Sequence, residues 1–322
     1  MKKLFALLIL SIALVSCYDD YIKDFDYDGV YFTYQFDTRT VVVGEGMKIE
    51  IGAALAGVMD NTRDRNVLFS IDNTLITPAI LTAMKGGATY IKNAVSSVTT
   101  LFPIPANYYS LSDNSKIVIK SGEHSGSIVF KADSANFLAD AATINAAYAL
   151  PLYITSADAD SILEKKRYTV IGIKYENMLF GNYWHGGVTT VKDATGTTIQ
   201  TINYFTTIPT PENTIWSLTT VAPNALVSNG YSNKASTTKK EIRLTLNGTD
   251  ITISSATGST NTYLGDGAST YNGAKLLQNR KIFLNYKYVV GTNTYYCQDT
   301  LTFRNRIRDG INEWQDENPS HY

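Results

Sequence analysis

Short runs of alternating apolar and polar residues, separated by turn-forming glycines and asparagines, are the feature that most restricts the fold of this 322-residue chain. In residues 47–54, for example, apolar side chains alternate with Lys48 and Glu50. A period of two places the apolar side chains on one face of a strand. Helical periodicity is almost absent, and residues 134–143 are the one segment that we predict as a short helix. The chain is therefore predicted to be all-β.

The first half of the chain is predicted to be an immunoglobulin-like β-sandwich over residues 29–175, because it contains about seven strand-like runs. Two of these runs, residues 116–120 and 126–131, flank a polar turn and are predicted to form a hairpin. Residues 73–107 lack a regular pattern and are predicted to be a long excursion. The predicted strands are residues 29–35, 40–43, 47–54, 66–72, 116–120, 126–131, 149–156 and 169–174.

The second half, residues 176–322, reads as successive hairpins. Residues 183–191 and 197–205, 241–246 and 250–254, and 281–290 and 294–303 form the predicted pairs, and residues 214–221 are a further strand. The pair around Asn247-Gly248 is the clearest, because both residues tolerate positive φ. Hairpins without crossover helices predict an antiparallel meander that closes into a calycin- or lipocalin-like β-barrel. An open meander packed on the first half is the alternative.

The N-terminal segment has the features of an export signal. Lys2 and Lys3 precede an apolar run over residues 4–15, which is shorter than the ~20 residues that a membrane-spanning helix needs. We therefore predict a signal peptide over residues 1–16. Its end at Ser16-Cys17 resembles a bacterial lipobox, which implies that Cys17 becomes the lipidated N-terminus. An ordinary signal peptide with an incidental cysteine is the alternative. Residues 17–28 are predicted to be a tether.

Composition excludes some classes of function. The formal net charge is −1, and no cluster of lysine and arginine follows a helix face, so nucleic acid is not an expected partner. The three histidines, His124, His185 and His321, have no paired spacing, and no metal or cofactor is predicted. Asp158 and Asp160 are either a weak calcium-binding loop or a solvated turn.

No catalytic motif is found in the sequence. There is no G-x-S-x-G sequence, phosphate-binding loop or dinucleotide fingerprint, so we expect that the protein is not an enzyme. Cys297 has no histidine close by in the sequence and is predicted to be a half-buried strand residue. A glycosidase needs only two carboxylates ~5–9 Å apart, and the sequence leaves that possibility open.

Aromatic residues in the second half are the candidate glycan-binding groups. Flat rings suit the apolar faces of sugars, and neighbouring polar groups bind the hydroxyls. Packing in the core is the alternative for each ring, because large aromatic side chains are mostly buried. The candidates are Tyr183, Trp184, His185, Trp216, Tyr263 and Tyr271.

Several short motifs resemble a family of two-domain outer-surface lipoproteins of gut-type Bacteroidota. In the first half the resemblance rests on Val41-x-Val43-Gly44, Ile104-Pro105-x-x-Tyr108-Tyr109-x-Leu111, Lys120-x-Gly122-Glu123-x-Ser125-Gly126 and Tyr148-x-Leu150-Pro151-Leu152. In the second half it rests on Glu176-Asn177-x-x-Phe180-Gly181-x-Tyr183, Leu284-x-Tyr286-x-Tyr288, Leu301-x-Phe303-Arg304-Asn305-Arg306 and Asp309-Gly310-Ile311-Asn312-Glu313-Trp314.

The resemblance implies an immunoglobulin-like domain followed by a calycin-like domain. It also implies an outer-membrane lipoprotein that faces the cell exterior, a location with which the acidic Asp19-Asp20 after Cys17 agrees. Relatives of the first domain accompany SusD-type glycan-uptake systems, so the expected partners are a glycan and a SusC/SusD-type complex. The leading hypothesis is a non-catalytic glycan-binding accessory. A protein-binding adhesive or structural role and a glycoside hydrolase are the alternatives.

Overall fold

The structure is a computed structural model that describes residues 27–204 and 212–316. The predicted signal peptide, Cys17 and most of the predicted tether lie outside the described residues. The strands in chain order are β1 (Gly29–Tyr31), β2 (Phe36–Val43), β3 (Lys48–Ala56), β4 (Arg65–Ile71), β5 (Phe102–Pro103), β6 (Tyr109–Leu111), β7 (Lys116–Ile119), β8 (Ser125–Ala132), β9 (Tyr148–Ala157), β10 (Ser161–Ile162), β11 (Tyr168–Asn177), β12 (Gly181–Lys192), β13 (Thr198–Tyr204), β14 (Ile215–Ala222), β15 (Ala225–Ser228), β16 (Gly230–Tyr231), β17 (Lys234–Ala235), β18 (Ile242–Asn247), β19 (Asp250–Ser255), β20 (Leu264–Gly265), β21 (Ser269–Tyr271), β22 (Lys281–Val290), β23 (Asn293–Arg308) and β24 (Ile311–Glu313). The helices are α1 (Pro78–Gly86), α2 (Thr89–Ala94) and α3 (Ser134–Ala139).

The strands up to β11 form two facing sheets. One has the order β10-β1-β3-β8-β6, and the other has the order β2-β11-β9-β4-β7 with β5 beside β9. β1 pairs with β10 and β2 with β11 in parallel, whereas β9 with β11 and β3 with β8 pair antiparallel. Apolar residues such as Ile51, Phe130 and Leu152 from both sheets meet in one buried core. The predicted sandwich is therefore confirmed.

The predicted hairpin around residues 121–125 is wrong. β7 pairs with β4 in one sheet, and β8 pairs with β3 and β6 in the other. The turn therefore carries the chain from one sheet to the facing sheet. Ile119 and Ile128 both point into the core between the sheets. Local alternation and a turn are compatible with either pairing, so the long-range partners decide it.

Two helices lie in the segment that was predicted to be irregular. α1 and α2 pack through Leu81, Met84 and Ile91 on the outer face of the β2–β11 sheet, where Ala149 and Val170 contact them. α3 confirms the short helix predicted near residue 134, although it ends at residue 139. The missed helices have nine and six residues, too short to show a clear helical period.

Most strands after β11 form a barrel. The ring runs β12-β14-β15-β18-β19-β21-β22-β23 and closes through the long antiparallel pairing of β23 with β12. The predicted hairpins β12–β13, β18–β19 and β22–β23 are all present. Closure removes the two edges that an open meander would expose. The all-β prediction, with a sandwich followed by a barrel, is confirmed.

A buried cluster of charges joins the barrel to the sandwich. Arg306 of β23 donates two hydrogen bonds to the Glu45 carboxylate, at 2.7 and 2.8 Å, and Arg280 donates a third at 2.8 Å. Glu45 lies in the turn between β2 and β3, and all three side chains are nearly inaccessible to water. We call Glu45, Arg280 and Arg306 the charge clamp. It holds the β23–β24 hairpin against the edge of the sandwich.

Candidate functional site: a cleft between sandwich and barrel

Most of the aromatic residues predicted to bind glycan are buried inside the barrel. Tyr183 and Trp216 are 0% exposed, Tyr263 is 1% exposed, and Tyr271 is 8% exposed. They pack in the barrel core, which was the alternative reading of these rings. Their faces are covered, so in this structure they do not form a platform on which a sugar could stack.

His185 belongs to the same interior. Its ring stacks on Trp216 with centroids 4.1 Å apart and on Tyr204 at 5.1 Å. Its Nε2 atom lies 3.2 Å from the carboxylate of Asp299 but does not form a hydrogen bond with it. The Asp299 carboxylate accepts hydrogen bonds from the hydroxyls of Tyr204 and Tyr286, both at 2.7 Å. We call Asp299, Tyr204, Tyr286 and His185 the interior network. It fills the barrel with side chains.

Burial changes the acid–base properties of this interior. It raises the pKa of Tyr204 and of Tyr286, and the negative charge of Asp299 raises both further. Cys297, which was predicted to be half-buried, is 1% exposed, and burial raises the pKa of its thiol to about 12. A thiol with such a pKa stays protonated at neutral pH and is a poor nucleophile.

Trp184 is placed differently from the other five candidates. It is partly exposed, and the guanidinium of Arg304 lies over its ring, 4.9 Å from the centroid. The six predicted residues are therefore not brought together as one binding surface. Trp184 remains an individual candidate.

A cleft of about 530 Å³ lies where the sandwich meets the barrel. Its floor is the outer face of two adjacent strands, because Thr38 and Thr40 of β2 lie beside Gly172 and Lys174 of β11. Glu176, two residues along β11, forms an ion pair with Lys174 at 2.6 Å. The floor therefore presents one neutralised pair of charges, whereas Thr38 and Thr40 are almost fully buried.

One wall of the cleft comes from the sandwich and the other from the barrel. α2 provides Tyr90 and Asn93, and the barrel side provides Phe180, Ile307 and the Asp309-Gly310 turn. The side chain of Asn93 is exposed and makes no hydrogen bond to any residue within ranges 27–204 and 212–316. A free amide beside aromatic and aliphatic surface is a typical element of a small-ligand site.

The Asp309-Gly310 turn fixes the barrel side of the cleft. Both residues have positive φ, 52° and 81°, as a two-residue hairpin turn of type I′ requires. The Asp309 carboxylate accepts hydrogen bonds from the hydroxyl of Thr40 at 2.7 Å and from its backbone N–H at 3.2 Å. A β-carbon on Gly310 would lie 2.8 Å from the Tyr90 ring, so only glycine allows this approach.

Two ionisable groups in the cleft have shifted pKa values. Burial raises the pKa of Asp309, against the opposing effect of its hydrogen bonds from Thr40. Burial also raises the pKa of Tyr90, and the hydrogen bond that its hydroxyl donates to Asp37 adds to the shift. The hydrogen bond to Asp37 of β2 holds the Tyr90 ring against this strand.

The cleft residues were not predicted as a site from the sequence. They come from β2, α2, β11 and the β23–β24 turn, which are far apart in the chain. Glu176, Phe180 and the Asp309-Gly310 turn belonged to motifs that carried the family resemblance, but nothing in the sequence placed them in one cleft. Polar residues on the outward face of a strand otherwise look like ordinary solvent-facing positions.

The described ranges contain neither a group of side chains for a metal ion nor a helix that could span a membrane. Residues 27–204 and 212–316 contain no group of three or more His, Cys, Asp and Glu side chains arranged to hold a metal ion. Asp158 accepts hydrogen bonds from Asn66, and Asp160 accepts one from the backbone of Asp28. In the same ranges, none of the helices is both long and apolar enough to cross a bilayer.

Residues 23–161 match a family model described as a “-like, N-terminal domain”. No curated protein matches the chain. The chain is similar to a crystal structure of a protein of unknown function from Bacteroides ovatus, with 21% identity, a TM-score of 0.61, and coverage of 90% of this chain and 98% of that one.

A second structure is an auxiliary nutrient binding protein from Bacteroides thetaiotaomicron, with 17% identity, a TM-score of 0.38, and coverage of 82% of this chain and 85% of that one. A score at this level does not establish a shared fold. The first structure, at 21% identity, supports the fold and not a function. In fold, the chain is therefore similar to a Bacteroides protein of unknown function, and its first half matches the family model of an N-terminal domain.

Proposed function

We propose that the protein is a non-catalytic carbohydrate-binding protein of the cell surface and that the cleft between sandwich and barrel receives an oligosaccharide. The observation that carries this proposal is the lining of the cleft. Hydroxyl, amide and charged groups lie beside the apolar surfaces of Phe180 and Ile307, within about 530 Å³. Small-ligand sites commonly have volumes of ~300–1,000 Å³ and this mixture of apolar surface with a few polar groups.

The charges of the cleft favour a neutral ligand. Lys174 is paired with Glu176, and Asp309 adds a carboxylate with no further cation in the lining. A phosphate or a polyanion would meet no excess of positive charge here. A neutral sugar offers hydroxyls that both donate and accept, which suits the exposed Thr89 and the amide of Asn93.

Replacing Asn93 with alanine should weaken oligosaccharide binding about threefold to tenfold. The free amide is lost, and a hydrogen bond contributes ~0.5–1.5 kcal/mol net, where 1.4 kcal/mol is tenfold in affinity. Affinity electrophoresis against plant, host and microbial polysaccharides would identify the ligand, and calorimetry would then compare the variants. Asn114→Ala is the matched control, because Asn114 is exposed in the turn before β7, away from the cleft.

Two results would count against this proposal. Binding to no polysaccharide in the screen would remove its support, and equal binding by Asn93→Ala and wild type would place the site elsewhere. Turnover of an oligosaccharide that is lost in Glu176→Gln or Asp309→Asn would instead support the glycoside hydrolase alternative. Capture of a stoichiometric protein partner from outer membranes without sugar would support the protein-binding alternative.

We further propose that Cys17 carries the lipid that anchors the protein at the outer membrane, as an accessory of a SusC/SusD-type uptake complex. The Lys2-Lys3 start, the apolar run and Ser16-Cys17 support this proposal. Cells grown with labelled palmitate should incorporate the label in wild type and not in Cys17→Ala. Label that persists in Cys17→Ala, or wild-type protein that fractionates with the cytosol, would contradict it.

A further inference from the structure

The described chain begins at the end of the sandwich that is farthest from the barrel. Gly29 of β1 pairs with Ala56, the last residue of β3. The first residue of β3, Lys48, follows the turn in which Glu45 accepts hydrogen bonds from Arg306 of the barrel. A strand of nine residues that rises ~3.3 Å per residue has a length of about 25–30 Å. The length of the sandwich therefore separates the start of the described chain from the barrel.

The barrel extends from the opposite end of the sandwich. Asn177, the last residue of β11, donates a side-chain hydrogen bond to the carbonyl of Pro223 in the barrel at 2.8 Å. β23 has 16 residues, and Arg306 near its C-terminal end contacts the sandwich. The other end of β23 follows the turn at Thr292, which therefore lies at the end of the barrel away from the sandwich. The start of the described chain and the Thr292 turn are thus at opposite ends of the molecule.

Three large apolar side chains are exposed at the end of the sandwich where the described chain begins. Tyr27 is 63% exposed, Met59 is 52% exposed and Leu163 is 43% exposed. Tyr27 lies beside Gly57, in the loop that carries Met59, because a β-carbon on Gly57 would lie 2.0 Å from the carbonyl oxygen of Tyr27. Leu163 lies beside β1, since its backbone N–H donates to the carbonyl of Val30 at 3.1 Å. We call Tyr27, Met59 and Leu163 the entry face.

A lipid on Cys17 would hold the entry face close to a membrane, and this step rests on the anchor proposed above. Tyr27 follows Cys17 by ten residues. An extended chain spans at most ~3.6 Å per residue, so the two residues are no more than about 36 Å apart. The anchored chain therefore keeps the entry face near the lipid, whereas the barrel can lie much farther away.

We propose that the entry face lies on the lipid surface of the membrane, so that the sandwich separates the membrane from the barrel. Tyrosine is enriched at membrane–water interfaces. The exposed side chains of Met59 and Leu163 lose unfavourable contact with water when they enter the interfacial region. Three side chains attach weakly by themselves, so the lipid on Cys17 supplies the attachment and the entry face supplies the orientation.

Electrostatic attraction does not determine this contact. Lys165 and Lys166 are exposed close to Leu163, and Asp60 is exposed next to Met59, so charges of both signs surround the entry face. A lysine keeps its ammonium group in water while its methylene stem covers apolar surface. Salt screens contacts between exposed charges and not apolar contacts, so the orientation should persist at high salt. The cleft, at the junction with the barrel, is then held away from the lipid and does not take part in the contact.

Quenching of a fluorescent label by the lipid tests the orientation. The full-length protein, purified from its cells in mild detergent, is reconstituted into phosphatidylcholine vesicles in which some lipids carry a nitroxide on the headgroup. A label on Asp60→Cys, next to the entry face, should be quenched. The same label on Thr292→Cys, at the far end of the barrel, should keep its fluorescence. Wild type gives the background of labelling, since Cys297 is 1% exposed.

A double substitution tests the apolar side chains. Met59→Ser combined with Leu163→Ser should remove most of the quenching of the Asp60→Cys label, while the protein stays on the vesicles. Val289→Ser is the matched control, because Val289 is 59% exposed on β22, close to the turn at Thr292. It should leave the quenching unchanged.

Two kinds of result would overturn the inference, and they can be told apart. Equal quenching of the two labels, or quenching at Asp60→Cys that the double substitution does not reduce, would show that the entry face does not orient the protein. The proposed anchor would survive either result. Wild type that carries no palmitate label and does not bind vesicles would overturn the anchor at Cys17, and the inference with it.

Discussion

Replacing Arg306 with alanine is expected to lower the free energy of unfolding by about 3–5 kcal/mol, because Glu45 would keep a buried charge without its main partner. Arg306 is 1% exposed and donates two hydrogen bonds to Glu45. Its Nε also donates to Glu313, which belongs to the hairpin that lies against the sandwich. Denaturant unfolding, followed by circular dichroism, measures the change.

Arg304→Ala is the matched control for the charge clamp. Arg304 lies two residues earlier on β23, is exposed, and contacts the ring of Trp184 rather than a carboxylate. Its loss should change the unfolding midpoint far less than the loss of Arg306. Lysine at position 306 should rescue only part of the stability, since a single ammonium group cannot form the two parallel bonds. Equal effects of Arg304→Ala and Arg306→Ala would show that the clamp contributes little.

The clamp also predicts a dependence on pH. Burial alone would raise the pKa of Glu45, but the hydrogen bonds and charges of Arg306 and Arg280 lower it below the ordinary value. A carboxyl group with a lowered folded-state pKa stabilises the fold above its unfolded pKa, ~4.3 for glutamate. That contribution is lost as the pH falls toward the folded pKa. Wild type should therefore lose stability below about pH 4.3 more steeply than Glu45→Gln.

The second large effect is expected at Asp299 in the barrel. Asp299→Ala should lower the free energy of unfolding by about 3–5 kcal/mol, because two buried tyrosine hydroxyls lose a charged acceptor worth ~1.5–3 kcal/mol each. Tyr204 and Tyr286 are those donors. Near-ultraviolet circular dichroism should change as well, since His185 stacks on the buried Trp216 beside this carboxylate.

The variant Asp299→Asn should have a stability between those of wild type and Asp299→Ala. Its amide retains one acceptor oxygen and replaces the other with a donor, so Asp299→Asn should lose part of the stability that alanine loses. Asp266→Ala serves as the control, because Asp266 is exposed and paired with Lys287 at the surface. A stability of Asp299→Ala equal to that of Asp266→Ala would show that the interior network does not hold the barrel together.

The sequence was sufficient for those parts of the fold that depend on neighbouring residues. Asn247-Gly248 with flanking alternation predicted the β18–β19 hairpin, and the hairpin is present with Gly248 at a positive φ of 63°, whereas Asn247 is the last residue of β18. The same local signals around residues 121–125 predicted a hairpin that does not exist. A turn fixes the chain reversal, whereas β7 and β8 were assigned to opposite sheets by their distant partners β4 and β3.

The candidate site depended on tertiary structure. Alternation placed Tyr183 and Trp216 on one face of their strands, but it could not show whether that face lines a cavity or a filled core. The volumes of the side chains that meet inside the closed ring decided this, and they fill it. The cleft arose in turn from docking, because Thr40 and Asp309 are 269 residues apart and meet through hydrogen bonds at the sandwich edge. The sequence by itself determined an all-strand chain and most of its strand positions, since these follow from local alternation and turn chemistry. Only the tertiary structure decided which surfaces face each other, because that depends on packing between residues that are distant in the chain.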